Sequence, residues 1–85
     1  MEIEYSRRFF KSLEKLPEFI QEKAEEKDDI FRQNAFHPLL QTHKLKGKLK
    51  NYCSYSVDNK YRVLFRFKNK NKVIYFDIGT HDIYN

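Results

Sequence analysis

Tyr61-Arg62-Val63-Leu64-Phe65-Arg66-Phe67, the polar turn Lys68-Asn69-Lys70-Asn71, and Lys72-Val73-Ile74-Tyr75-Phe76-Asp77-Ile78 together decide the fold. β-branched and aromatic residues dominate both runs, and turn-forming residues bound them, as in two antiparallel strands. The second run stops at Gly79. Upstream, Tyr52 to Val57 reads as another strand, followed by Asp58-Asn59, a good tight-turn pair. The three runs predict an antiparallel meander. Its register is open at the first turn. If the loop is only Asp58-Asn59, Tyr55 lies opposite Arg62; a three-residue loop puts Tyr55 beside Val63 and makes one face more uniformly apolar. A slip of one residue exchanges the faces.

The N-terminal half supplies what covers the sheet. Glu2-Ile3-Glu4-Tyr5 alternates acidic and apolar side chains, as a short strand does. Ser6 is placed to cap a helix whose apolar stripe is Phe9, Phe10, Leu13 and Leu16. Pro17 ends that helix and suits the start of the next, where Phe19, Ile20, Ala24, Ile30 and Phe31 recur at helical spacing. The expected architecture is therefore α+β: a helical hairpin on one face of a small antiparallel sheet, in the order β-α-α-β-β-β. The first strand belongs at an edge or beside the last strand, and the opposite sheet face stays partly open. Residues 1–85 form one domain, because smaller units could not each bury a core.

Charge is uneven along the chain. The net charge is +5, which favours a polyanionic partner. Glu18, Glu22, Glu25, Glu26, Asp28 and Asp29 make the second helix acidic, whereas Lys44, Lys46, Lys48 and Lys50 alternate with Leu45 and Leu49 in a stretch without an acid. Such a run favours phosphate contact, with Leu45 and Leu49 as anchors. A single cysteine, Cys53, gives neither an internal disulfide nor a zinc-binding set, and it reads as a small core residue. No cofactor is called for. No run reaches the ~18 apolar residues of a membrane span, and no signal peptide is visible, so the expected location is cytoplasmic.

The ending Gly79-Thr80-His81-Asp82-Ile83-Tyr84 delivers an imidazole and a phenol just past the edge of the sheet that carries Arg62. Metal-independent RNA cleavage needs a base for the 2′-hydroxyl, an acid for the 5′-oxygen and a cation for the crowded phosphate. An imidazole is the side chain whose ordinary titration range lies nearest neutral pH, which makes His81 the leading proton-handling candidate. An Arg62–Asp77 ion pair is the structural alternative for that arginine.

These segments resemble the RelE/ParE superfamily of bacterial type II toxin–antitoxin toxins. The likeness rests on the order of elements, the Tyr61-Arg62-Val63-Leu64-Phe65 strand and the closing Gly79-Thr80-His81-Asp82-Ile83-Tyr84. In addition, His43-Lys44-Leu45-Lys46-Gly47 is similar to the segment before the meander in the YafQ branch. The resemblance implies a RelE-like fold and a cognate antitoxin. It also implies a metal-independent endoribonuclease that cuts mRNA on the ribosome, with DNA gyrase as the target in the non-nuclease ParE-like branch. By the same resemblance Arg62 stabilises phosphate, His81 takes the catalytic position, Tyr84 stacks on or orients the nucleotide, and His43 matches the first histidine of the YafQ pattern. Lys44, Lys46, Lys48 and Lys50 are the RNA-binding candidates. Two departures stand out. The strand Tyr52-Cys53-Ser54-Tyr55-Ser56 lacks the lysines of RelE, and Ser56 and Lys60 replace a histidine and an aspartate of the YafQ pattern.

Overall fold

The computed structural model describes residues 1–84. Its regular elements are β1 (Glu2–Tyr5), α1 (Arg7–Glu14), α2 (Glu18–Gln33), β2 (His43–Lys44), β3 (Cys53–Ser56), β4 (Arg62–Asn69) and β5 (Lys72–Gly79). The strands form one sheet in the order β1-β5-β4-β3-β2, with β1 parallel to β5 and every other pair antiparallel. The α+β architecture and the meander are as the sequence predicts, and β1 takes the edge beside β5. The sheet is mixed rather than purely antiparallel, because the chain crosses the helical face and runs through the meander before it lays β5 parallel beside β1. It also gains β2, two residues from the alternating lysine segment whose pairing with β3 no local period announces.

Each helix begins where local chemistry demands. The Ser6 side chain accepts from the Phe9 N–H at 3.0 Å and donates to the Phe76 carbonyl at 2.9 Å, so one hydroxyl caps α1 and ties its start to β5. Pro17 stands at the N-cap of α2, where its carbonyl accepts from the N–H groups of Ile20 and Gln21. The two helices bury Phe9, Ile20, Ala24 and Phe31 against Tyr55, Val63, Phe65, Val73 and Tyr75 of the sheet. Phe31 is the centre: its ring lies 5.1 Å from Tyr55, 4.9 Å from Phe65 and 5.5 Å from Tyr75. Burying one such ring contributes roughly 1.5–3 kcal/mol before edge-to-face gains.

The apolar stripes are narrower than the sequence suggests. Phe10 and Phe19 remain 52% and 60% exposed, because each is rotated about 100° around its helix from a buried neighbour, Phe9 or Ile20. Below the rings runs a polar chain. Tyr55 donates to the Tyr75 hydroxyl at 3.1 Å, and Tyr75 donates to Asp28 Oδ1 at 2.7 Å. Asp28 Oδ2 accepts from Tyr5 at 2.8 Å and from Arg32 at 3.2 Å, while Arg32 also bonds the Tyr5 hydroxyl. This network joins α2 to β1, β3 and β5, fixing the helical layer relative to the sheet.

The β3–β4 turn settles the open register. Tyr55 lies opposite Val63 and Ser56 opposite Arg62, which is the three-residue alternative. Asp58 Oδ1 accepts from the N–H groups of Lys60 and Tyr61, both at 2.8 Å, and so closes the turn. Burial works against charge on Asp58, yet these two N–H groups, with Lys23 and Lys27 nearby, hold its carboxyl below the ordinary value.

Candidate functional site

With Tyr55 and Val63 committed to the core, strand alternation turns Ser54, Ser56, Arg62 and Leu64 to the face away from the helices. Arg62 opens β4 between Ser56 on one side and Gly79 on the other. Its Nε donates to Ser54 Oγ at 2.7 Å, and its Nη2 lies 3.4 Å from the Gln41 carbonyl and 3.3 Å from His43 Nδ1. His43 reaches this point because β2 pairs it directly with Ser54. Gln41 adopts left-handed backbone geometry (φ 50°), a conformation unusual for a residue with a side chain, and its carbonyl faces both Arg62 and His43. The histidine Nδ1 either accepts from Arg62 or donates to the Gln41 carbonyl at 3.2 Å; the second tautomer leaves Nε2 as a free base.

The tail enters at the same end of the sheet, from the β5 side. After β5 the chain makes a single 3-10 turn, His81–Tyr84, anchored by the buried Ile83. Gly79 makes that turn possible, since a Cβ there would lie 2.8 Å from Ile83 Cγ2. Tyr84 swings back so that its hydroxyl lies 2.8 Å from Ser54 Oγ. The His81 ring stands 5.8 Å from the Tyr84 ring and is exposed. Arg62 and Tyr84, distant in sequence, thus converge on the hydroxyl of one fully buried serine, whose backbone pairs with His43.

The electrostatics follow from what Arg62 lacks. Its described partners are a hydroxyl, a carbonyl and an imidazole, none of them a carboxylate. Asp77, the expected alternative partner, is buried and paired instead with Arg8 at 3.1 Å. A guanidinium oriented by neutral groups keeps its full charge for an incoming anion. Among the described residues, no group of three or more His, Cys, Asp or Glu side chains is placed to hold a metal ion. Among the described residues no helix is long and apolar enough to cross a membrane.

The sequence model of the ParE-like toxin domain matches residues 18–85. The chain belongs to the ParE-like toxin family. Among curated proteins none matches the sequence. Solved structures resemble the fold at low identity. YafQ from E. coli strain BL21(DE3) aligns at a TM-score of 0.80 and 17% identity, over 98% of this chain and 96% of that one. The YoeB/ParE toxin from Agrobacterium tumefaciens gives 0.79 and 16% identity, over 95% and 99%. A chain of the E. coli DinJ-YafQ toxin-antitoxin complex gives 0.77 and 19% identity, over 96% and 93%. The superfamily resemblance read from the C-terminal motifs is borne out.

Within this ParE-like toxin the expected site residues separate into two groups. Arg62, His43 and Tyr84 come together around Ser54, and His81 stands beside Tyr84 without a hydrogen bond among the described residues. The lysines do not form one patch with them. Lys44 and Lys50 line a separate cleft with Phe36, Cys53 and Phe67, because strand alternation sends Lys44 to the side opposite His43. Lys46 and Lys48 are exposed around the short 3-10 turn Gly47–Leu49. Burial pushes the Cys53 thiol up, against the opposing pull of Lys44. Ser54 is the residue that sequence reasoning missed. In sequence it marks only the absence of a base; its role appears when β2, β4 and the tail meet around it.

Proposed function

We propose that this ParE-like toxin is a metal-independent endoribonuclease that cuts mRNA on the ribosome and is silenced by a cognate antitoxin. One observation carries the reading: Arg62, held by Ser54 and unneutralised by any described acid, stands beside the His43 imidazole with Tyr84 on the same hydroxyl. In this reading the phosphate of the scissile bond docks on the free edge of Arg62. A ring nitrogen of His43 takes the proton of the 2′-hydroxyl, whose oxygen attacks the adjacent phosphorus. The O2′–P bond forms and the P–O5′ bond breaks, leaving a 2′,3′-cyclic phosphate. His81 gives a proton to the departing 5′-oxygen, and the Tyr84 ring orients the base. Arg62 meets the charge gathered on the phosphorus oxygens as attack proceeds, where a preorganised cation lowers the barrier most. Lys46 and Lys48 add sequence-independent phosphate contacts.

The antitoxin part of the proposal draws on the family and on the DinJ-YafQ toxin-antitoxin complex among its structural relatives. A non-nuclease, gyrase-directed toxin is the second reading. The observation favouring it is β3, whose residues Cys53, Ser54, Tyr55 and Ser56 supply no base to the site.

Induced expression is expected to arrest growth, and primer extension on translated messages is expected to show codon-phased cuts. Arg62→Ala and His43→Ala should abolish both. Growth arrest that survives both substitutions, with gyrase–DNA complexes trapped and messages intact, would transfer the assignment to the second reading. Co-expression of the adjacent small reading frame should restore growth and give a complex that co-purifies. Failure of both would remove the antitoxin from the proposal.

A further inference from the structure

Beyond the Arg62 centre, the same open face carries a second group of residues that the reaction does not use. Arg66 follows Arg62 by four positions on β4, so both side chains emerge on the same face about 13 Å apart. The Arg66 guanidinium stands 6.0 Å over the Tyr52 ring. Tyr52 meets Phe76 edge to face at 5.6 Å, and Arg8 covers Phe76 at 4.9 Å. Two adjacent rings are thus flanked by a cation at each end, in a row that runs from β4 past the residue before β3 to β5 and the start of α1.

Their placement is built into the backbone. Phe76 is the residue skipped where β4–β5 pairing passes from Leu64–Asp77 to Phe65–Tyr75, and this irregularity frees it to meet Tyr52. The N–H of Tyr52 donates to Leu49 at 2.8 Å and its carbonyl accepts from Leu45 at 3.0 Å, which holds the ring's backbone in place. The two arginines differ in whether an acid faces them. Arg8 is paired with Asp77, whereas Arg66 has no acidic partner among the described residues. At 6.0 Å Arg66 is also at the outer limit of cation–π attraction, so it covers the Tyr52 ring only loosely.

An aromatic ring with an available arginine is the combination that receives single-stranded nucleic acid: the ring stacks a base and the cation meets its phosphate. We propose that Tyr52 and Arg66, backed by Phe76 and Arg8, form a stacking subsite for a base of single-stranded RNA flanking the phosphate held at Arg62. The occupant is taken from the endoribonuclease reading above. The ~13 Å between the arginines spans about four nucleotides at stacked spacing, and fewer in an extended strand. The subsite therefore extends the footprint beyond the scissile step, through contacts that tolerate any base.

The test uses the full chain and fluorescein-labelled 2′-O-methyl oligoribonucleotides of two to six nucleotides, which cannot be cleaved by 2′-oxygen attack. Anisotropy is expected to show affinity rising with length up to about five nucleotides. Tyr52→Ala should remove that rise, weakening the longer oligomers about 5- to 150-fold, while Tyr52→Phe, which keeps the ring, should retain it. Arg66→Ala, at an exposed position that leaves the core intact, should lower the slope of log affinity against log salt by about 0.7. Wild-type length and salt dependence in Arg66→Ala and in folded Tyr52→Ala would overturn the subsite and identify the ladder as packing alone. The outcomes separate the two readings. Loss of length-dependent binding in a protein that never cleaves message removes the nuclease and keeps the subsite. Cleavage that depends on Arg62, with unchanged oligomer binding in both subsite variants, does the reverse.

Discussion

Tyr75→Phe is expected to destabilise this protein far more than Tyr55→Phe, although each removes one buried hydroxyl. In the chain Tyr55→Tyr75→Asp28 the middle oxygen both accepts, at 3.1 Å, and donates, at 2.7 Å. Deleting it removes a bond to a carboxylate, about 1.5–3 kcal/mol, and strands the Tyr55 hydroxyl, about 1–3 kcal/mol more. Asp28 keeps Tyr5 and Arg32, so the lower part of the combined range applies, about 3 kcal/mol. Deleting the Tyr55 hydroxyl removes only a neutral donor and leaves Tyr75 bonded to Asp28, about 0.5–1.5 kcal/mol. At about 4–8 °C per kcal/mol for a domain of this size, the Tm losses are about 12–24 °C for Tyr75→Phe and about 2–12 °C for Tyr55→Phe. The double variant should cost less than the sum of the singles, because no stranded hydroxyl remains. Urea denaturation of wild type, both singles and the double supplies the cycle. Equal costs for the two singles, or strict additivity, would refute the assigned direction of donation and the energetic reasoning built on it.

Alkaline stability follows from the same tyrosines. Burial above all, then the hydrogen bond and charge of Asp28, raises Tyr5; burial followed by the Tyr55 and Asp28 interactions raises Tyr75; burial dominates at Tyr55. A phenol raised in the fold contributes stability that is complete below its unfolded value near 10 and is lost as pH rises beyond it. Urea midpoints should therefore fall above about pH 10, and the slow fraction of the 295 nm phenolate signal should appear with unfolding. Ser54→Ala should lower message cleavage about 10- to 100-fold, since Arg62 loses its shortest tether and small misplacements are costly in catalysis. A cleavage rate equal to wild type would show that Ser54 does not position Arg62. Gly79→Ala should displace the His81–Tyr84 turn, because the new Cβ meets a β-branched side chain with little rotamer freedom. Growth arrest at wild-type strength by this variant would dissociate the turn from function.

The architecture was legible because each element carries its own period. Phe9 and Leu13 announced α1, Ser6 its start, and the Val, Ile and Phe runs of β4 and β5 the meander. What lay beyond local pattern concerns partners distant in the chain. Phe10 and Phe19 look as apolar as Phe9 and Ile20, and only the angle at which the helices meet the sheet decides which are buried. The two residues of β2 are too few for a period to define, and their pairing comes from β3.

For the site, the sequence by itself determined the ingredients: an arginine at the head of a central strand, histidines on either side of the meander and an aromatic tail. It also determined that the strand before Arg62 brings no base. Tertiary structure decided which ingredients meet. The three-residue β3–β4 turn set the parity that puts Ser54 and Arg62 on the open face, and a one-residue change there would have buried the charge instead. Pairing of β2 brought His43 to Arg62 and sent Lys44 to the opposite side. The lysine run looked like one basic surface because sequence gives charge without direction, and a strand aims alternate side chains to opposite faces.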